Sequence, residues 1–175
     1  KRYNSYPNDR VVSIILRTYP IKKSRKKIKV LDLGCGGGNN TEFLAKEGFD
    51  VYAVDGSKEA INLTKKRVSK LVSLNKIVKS DFESLPFKNN FFDFILDRQS
   101  LGHNNKRKIY LIVDEIERLL KKRGNFLSFI FSSKNPHKKY GKIINLDKKK
   151  DKNSEDLHNF KKGIFKKSGI VHFFT

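Results

Sequence analysis

The chain has 175 residues, with 39 Lys and Arg against 18 Asp and Glu, a net charge of +21, 37% hydrophobic residues, one Cys and neither Trp nor Met. That length favours one domain with a sizeable core and excludes a second complete one, because a chain of this size buries about two-thirds of the surface its unfolded form exposes. A single cysteine excludes an internal disulfide and points to a reducing, cytoplasmic setting, and no apolar run approaches a membrane span of roughly 20 residues.

Residues 1–27 read as a helical lead. Its apolar run Val11–Leu16 is too short for a secretory signal, and Tyr3, Tyr6 and Tyr19 suit either a helix over a ligand mouth or a mobile surface. With no Met at position 1, the chain reads as processed or cut. From Ile28 onward, short apolar runs alternate with amphipathic stretches, the pattern of a parallel sheet covered by helices. The first strand, Ile28–Leu33, runs into Gly34-Cys35-Gly36-Gly37-Gly38, and a short helix over Thr41–Glu47 ends at Gly48. Strand two, Phe49–Val54, closes on Asp55, and Ser57 caps the next helix with Glu59 in its first turn. Strand three, Lys76–Lys79, closes on Ser80-Asp81. Strand four, Phe91–Leu96, closes on Asp97. Ile109, Ile112, Val113, Ile116, Leu119 and Leu120 then recur at helical spacing up to Lys121-Lys122-Arg123-Gly124, read as a cationic helix end followed by glycine. Phe126–Phe131 forms strand five.

Four consecutive strand ends thus carry chemistry, and in an open α/β sheet those ends form the ligand crevice. A glycine-rich turn brings bare backbone close to a ligand and aims a helix N-terminus at it. As a dinucleotide fingerprint the turn is imperfect, since Asn39 stands where Gly or Ala is needed. Asp55, 21 positions after Gly34, suits a carboxylate that accepts from a ribose diol, whether of NAD or of another adenosine cofactor, and it would repel a 2′-phosphate.

Asp32-Leu33-Gly34-Cys35-Gly36-Gly37-Gly38, Val54-Asp55-Gly56-Ser57, Ser80-Asp81-Phe82 and Phe92-Asp93-Phe94-Ile95-Leu96-Asp97 resemble, in order, the signatures of class I S-adenosylmethionine-dependent methyltransferases over residues 28–131. The resemblance implies a doubly wound, Rossmann-like, mostly parallel sheet with helices on both faces. It implies S-adenosylmethionine as cofactor, with Asp32 and the backbone of Gly34, Gly36 and Gly38 beside its methionine part. Asp55, with Gly56 and Ser57, would meet the ribose, and Asp81 with Phe82 the adenine. Asp97 and the residues after it would face the sulfonium and the acceptor. Methyl transfer needs alignment and exclusion of water, plus a general base for a hydroxyl acceptor. His103 is the candidate base, against the alternative of a loop histidine without a catalytic part.

Cys35 reads as packing under the ligand rather than as a nucleophile. His137, His158 and His172 are too irregularly spaced to support a zinc site, and Asp93 receives no role. A pI near 10 is the footprint of a nucleic-acid binder, yet the basic residues are mostly Lys spread along the whole chain, so a nucleic-acid partner is possible but not favoured. Asp97-Arg98-Gln99-Ser100 lacks the Asn/Asp-Pro-Pro-aromatic run of amino-methylating nucleic-acid enzymes. With Phe131–Lys134 and Gly169–Phe174 it looks more like methyltransferases of small molecules. Residues 132–175 read as a lysine-rich loop or lid and an incomplete C-terminal part. The expectation is therefore transfer of methyl to oxygen or nitrogen of a small molecule, the alternatives being an RNA methyltransferase or a truncated, non-catalytic cofactor-binding protein.

Overall fold

The computed structural model describes residues 5–140, 142–143, 155–158 and 171–173. Tyr3, half of the lysine-rich stretch 132–153 and the C-terminal Thr175 lie outside these residues. The chain divides into two compact units, one of residues 1–96 and 115–127, the other of 97–114 and 128–175. Among the described residues no helix is long and apolar enough to cross a membrane.

The first unit is built on a five-stranded sheet. Helix α1 (Asp9–Thr18) starts at Asn8, whose side chain accepts from the Arg10 amide, and it buries Val11 and Ile15. Tyr6 precedes the helix and is 82% exposed, whereas Tyr19 follows it and packs edge-on against Phe49 and Phe94. Strand β1 (Lys29–Leu33), helix α2 (Asn39–Lys46), strand β2 (Asp50–Asp55), helix α3 (Lys58–Val68) and strand β3 (Ile77–Lys79) then follow in turn. Strands β4 (Phe92–Arg98) and β5 (Leu120–Phe129) flank helix α4 (Lys106–Leu119). The sheet order is β3-β2-β1-β4-β5, so the winding reverses between β1 and β4. That reversal makes the expected α/β, doubly wound arrangement, with β1 and β2, and β2 and β3, paired in parallel. Val30, Leu31, Val51, Ala53, Val54, Phe94, Ile95 and Leu96 are all buried, as the near-continuous apolar runs of a covered parallel sheet require. Cys35 joins Ala53, Ile61, Val68 and Ile77 in one buried cluster, in keeping with its reading as packing.

One sequence reading changes. The stretch Lys121–Gly124 belongs to β5 and does not end a helix. Helix α4 stops at Leu119, and the carbonyls of Arg118 and Leu119 accept from the backbone of Asn90 and Phe91, so no glycine cap is needed. Gly124 is instead a close-approach residue, for a Cβ there would lie 3.1 Å from the Phe92 carbonyl oxygen and 2.9 Å from a Leu120 methyl. Asp93 also has partners: it accepts from the Lys29 amide at 2.8 Å and from Lys121 Nζ at 2.7 Å.

Arg25 stands inside the run Lys22–Lys27, whose other residues are exposed, yet it is buried. Its guanidinium donates to the carbonyls of Tyr19 and Pro20 and pairs with the Glu47 carboxylate, which fastens the lead to the end of α2.

In the second unit, β6 (Lys142–Ile143), β7 (Glu155–His158) and β8 (Val171–Phe173) form a separate three-stranded antiparallel sheet. Gly102 lies against Phe131 so closely that a Cβ would come within 2.5 Å of the ring, and His172 is buried.

Arg25→Met should cost about 3 kcal/mol of unfolding free energy, toward the low end for breaking a buried pair because Glu47 keeps some solvent. An unchanged urea midpoint would show that Arg25 is not the fastener.

Candidate functional site

The carboxyl ends of β1, β2 and β3 lie at one edge of the sheet by register: Leu33 pairs with Val54, and Asp55 with Lys79, two residues before Asp81. The turn after β1 depends on left-handed backbone, with φ of 76° at Gly34, 55° at Gly36 and 75° at Gly38, a region that costs other residues about 1–2 kcal/mol each. The Gly34 and Cys35 amides both donate to the Val54 carbonyl, at 2.9 and 3.0 Å, and lay the turn against the end of β2. The Gly38 amide closes the turn on the Cys35 carbonyl, and the Gly38 carbonyl accepts from Glu42 to start α2. A Cβ at Gly38 would meet Thr64 Oγ1 at 2.8 Å and Thr64 Cα at 3.0 Å, whereas at Gly36 it would meet nothing within 4 Å. Gly38 is therefore glycine for helix packing as well as for φ, and Gly36 faces open space where a ligand can approach the backbone.

Asp55 ends β2 with one carboxylate oxygen accepting from the Gly36 amide at 2.9 Å and the other from the Ser57 amide at 2.8 Å. Each oxygen keeps acceptor capacity, since a carboxylate offers about four lone-pair sites. Ser57 caps α3 by accepting from the Ala60 amide, and its hydroxyl donates to Glu59, which holds that carboxylate below its usual pKa. Asp32, within β1, is buried and accepts the Thr41 hydroxyl at 2.6 Å. Asp81 is exposed and Phe82 half-buried after β3. Burial and the nearby carboxylate of Asp32 push the Cys35 thiol well above its usual range, which removes the thiolate a nucleophile would need.

The first turn of α2 holds a residue that the sequence reading passed over. Asn40 is only 4% exposed, and its side-chain carbonyl Oδ1 has no hydrogen-bond partner, a condition that costs about 1–3 kcal/mol in a buried site. Gly38, at the helix N-cap, supplies no side-chain cap to the amides that follow. Open backbone at Gly36, a carboxylate held at both oxygens, uncapped amides and an orphaned carbonyl together fit an adenosylated amino acid: diol to Asp55, carboxylate to the helix amides.

Asp97 and His103 belong to the second unit. Asp97 is buried and accepts from the Ser100 and Leu101 amides, at 2.8 and 3.2 Å, and from the Ser128 hydroxyl at 2.6 Å. Burial nevertheless raises its carboxyl above the ordinary carboxylate value, outweighing the pull of Ser128 and the two amides. Gln99 is left-handed at φ 68°, with its amide donating to the Phe129 carbonyl. The exposed His103 ring packs edge-on against Phe131, with centroids 5.5 Å apart.

Residues 31–128 match the family profile described as a methyltransferase domain. A sarcosine/dimethylglycine N-methyltransferase of Aphanothece halophytica is 31% identical over 134 residues, which cover 71% of this chain and 47% of that protein. A ubiquinone biosynthesis O-methyltransferase of Pelagibacter ubique (strain HTCC1062) is 36% identical over 118 residues, covering 63% and 46%. The chain spans about half the length of the curated relatives it matches. In fold it is similar to a solved Pyrococcus horikoshii OT3 protein, with TM-score 0.64 and 23% identity over 99% of this chain and 79% of that one. A methyltransferase structure from Aquifex aeolicus gives 0.56 at 23% identity, covering 69% and 63%.

Gly38→Ala should cost about 3 kcal/mol of stability, left-handed strain plus the clash with Thr64, and Gly36→Ala only about 1 kcal/mol. Equal losses for the two variants in chemical denaturation would contradict this division of roles.

Proposed function

This chain belongs to the class I S-adenosylmethionine-dependent methyltransferase family, and on that premise we propose that it transfers a methyl group to an oxygen or nitrogen of a small-molecule acceptor. The observation that carries the reading is Asp55, a carboxylate held at both oxygens at the end of β2 and able to accept a ribose diol without rearrangement. S-adenosylmethionine, when bound, supplies an electrophilic methyl group on a sulfonium. The backbone at Gly36 and the first turn of α2 hold the amino-acid part beside Asp32, while Asp81 and Phe82 border the adenine. A cationic sulfonium gains from the nearby carboxylates in a chain of net charge +21.

Asp97 acts as a positioning residue: its two backbone bonds and the Ser128 hydroxyl set the turn that carries Gln99 and His103. His103 takes the proton from a hydroxyl acceptor. Small acceptors are supported by the two relatives, one named for N-methylation of sarcosine and dimethylglycine, the other for O-methylation in ubiquinone biosynthesis. A second reading, RNA as acceptor, draws on the charge alone. A cytoplasmic setting is supported by the lone cysteine, buried as a thiol.

Asp55→Ala should weaken S-adenosylhomocysteine binding by roughly 10- to 100-fold in calorimetry, from charge-assisted hydrogen bonds worth about 1.5–3 kcal/mol. An unchanged affinity rules out the ribose role. Label from methyl-tritiated S-adenosylmethionine should pass to members of a panel of glycine, sarcosine, dimethylglycine and phenolic quinone precursors rather than to total RNA. With a phenolic acceptor, His103→Ala should lower turnover about 10²- to 10⁴-fold at unaltered cofactor affinity. Label in RNA alone would sink the small-molecule reading, and equal turnover would remove His103 as base.

A further inference from the structure

Helix α4 carries more apolar surface than its own fold uses. Ile109, Ile112, Ile116 and Leu119 recur along one side and are buried, which accounts for the part of the helix that faces the core. Val113, placed in the same stripe by its spacing, is exposed instead, as are Leu111 and Tyr110, the latter at 60%. Among the described residues no other stretch of four exposes three large apolar side chains. Single apolar residues are ordinary on a protein surface, whereas a contiguous group of them marks a contact.

Opposite charges bracket that group. Arg107 and Asp114 are both exposed and stand about two helical turns apart, so they fall on one face with Tyr110 and Leu111 between them. At about 10 Å along the axis they are too distant to pair with each other. Neither has an ion-pair partner among the described residues, unlike Glu115 and Arg118, which pair together. The order cation, aromatic, aliphatic, anion is self-complementary. When a second α4 lies antiparallel on this face, a two-fold axis passes between Tyr110 and Leu111. Arg107 of each copy then meets Asp114 of the other, and the two apolar residues pack on their own counterparts. A parallel arrangement would instead set Arg107 against Arg107 and Asp114 against Asp114.

We propose that the outer face of α4 between Arg107 and Asp114 is the seat of an antiparallel, two-fold symmetric contact between two copies of this chain. The contact is independent of the activity proposed above. Two turns of helix bury less than the roughly 1,200–2,000 Å² of a standard interface, and the net charge of +21 on each copy opposes association, so the dimer is weak and reversible.

Sedimentation equilibrium of the 175-residue chain at physiological salt should show a monomer–dimer equilibrium with Kd of about 10–100 μM. Arg107→Asp and Asp114→Arg each set like charges opposite one another, and each should raise that Kd by about 10-fold or more. The double variant, Arg107→Asp with Asp114→Arg, restores both pairs and should dimerise like the parent. An equimolar mixture of the two single variants should form the mixed dimer, because one chain then presents two Asp where the other presents two Arg. Arg107→Asp also lowers the net charge, which by general electrostatics would strengthen self-association, so a weakening is specific to this register. Both positions are exposed, and the variants should melt within about 2 °C of the parent. Leu111→Lys, which places two ammonium groups at the axis, should likewise dissociate the dimer and serves if a charge variant does not fold. A parent that stays monomeric overturns the proposal. So does a dimer indifferent to both single reversals, or a double variant and a mixture that both fail to associate.

Discussion

Asp55 accepts the Gly36 amide on one oxygen and the Ser57 amide on the other, so a single carboxylate ties the turn after β1 to the turn after β2. The Val54 carbonyl beside it adds a second tie by accepting from both Gly34 and Cys35. These bonds hold three glycines in left-handed backbone, which an untethered chain would populate only as one conformer among many. The start of α2 depends on that turn, because the Gly38 carbonyl accepts its first helical amide, and so does the packing of α2 against α3 at Gly38 and Thr64. Loss of the carboxylate would release the glycine turn and the mouth of α3 together. Ligand binding and local order are therefore coupled at this residue, in the sense that a diol meets a carboxylate already fixed in place.

Much of this was legible in the residues because the strand ends are chemically punctuated. Gly34–Gly38, Asp55, Asp81 and Asp97 mark four successive strand ends, and the apolar runs before them are short enough to be strands only. Strand β1 begins at Lys29 and β2 at Asp50, each a residue inside the span read from the sequence, and both end at the expected chemistry. The Ser57 cap and the Glu59 beside it follow a local rule that needs no tertiary knowledge.

What stayed hidden was decided by contacts far apart in sequence. Arg25 cannot be told from the lysines around it until Glu47, 22 residues on, is brought alongside. The run Lys121–Gly124 has the composition of a helix end, but the carbonyls at the end of α4 are taken by Asn90 and Phe91, and the chain turns at once into β5. Glu115 accepts from the Leu85 amide, 30 residues away in sequence, and pairs with Arg118, which holds its carboxyl below the usual value. Asp97 was legible as a special residue though not in its particular use, since Ser128, 31 positions later, supplies the hydroxyl that occupies it. Asn40 carried no signal, because a lone asparagine at a helix start ordinarily reads as a capping or solvated residue.

Charge is the remaining constraint. A chain of net charge +21 repels a cationic ligand at long range, and only local anions can reverse that. Several acids are committed elsewhere: Asp50 is shared by Lys29 and Lys76, Asp93 by Lys121 and the Lys29 amide, and Glu47 by Arg25. Asp55 differs in kind, for its two oxygens accept the backbone amides of Gly36 and Ser57. Its negative charge falls at the end of the sheet where the glycine turn opens. A lysine-rich surface and a cofactor carrying a sulfonium are compatible for that reason: screening weakens the distant lysines over about one Debye length, 8 Å at physiological salt, while the Asp55 carboxylate acts at close range.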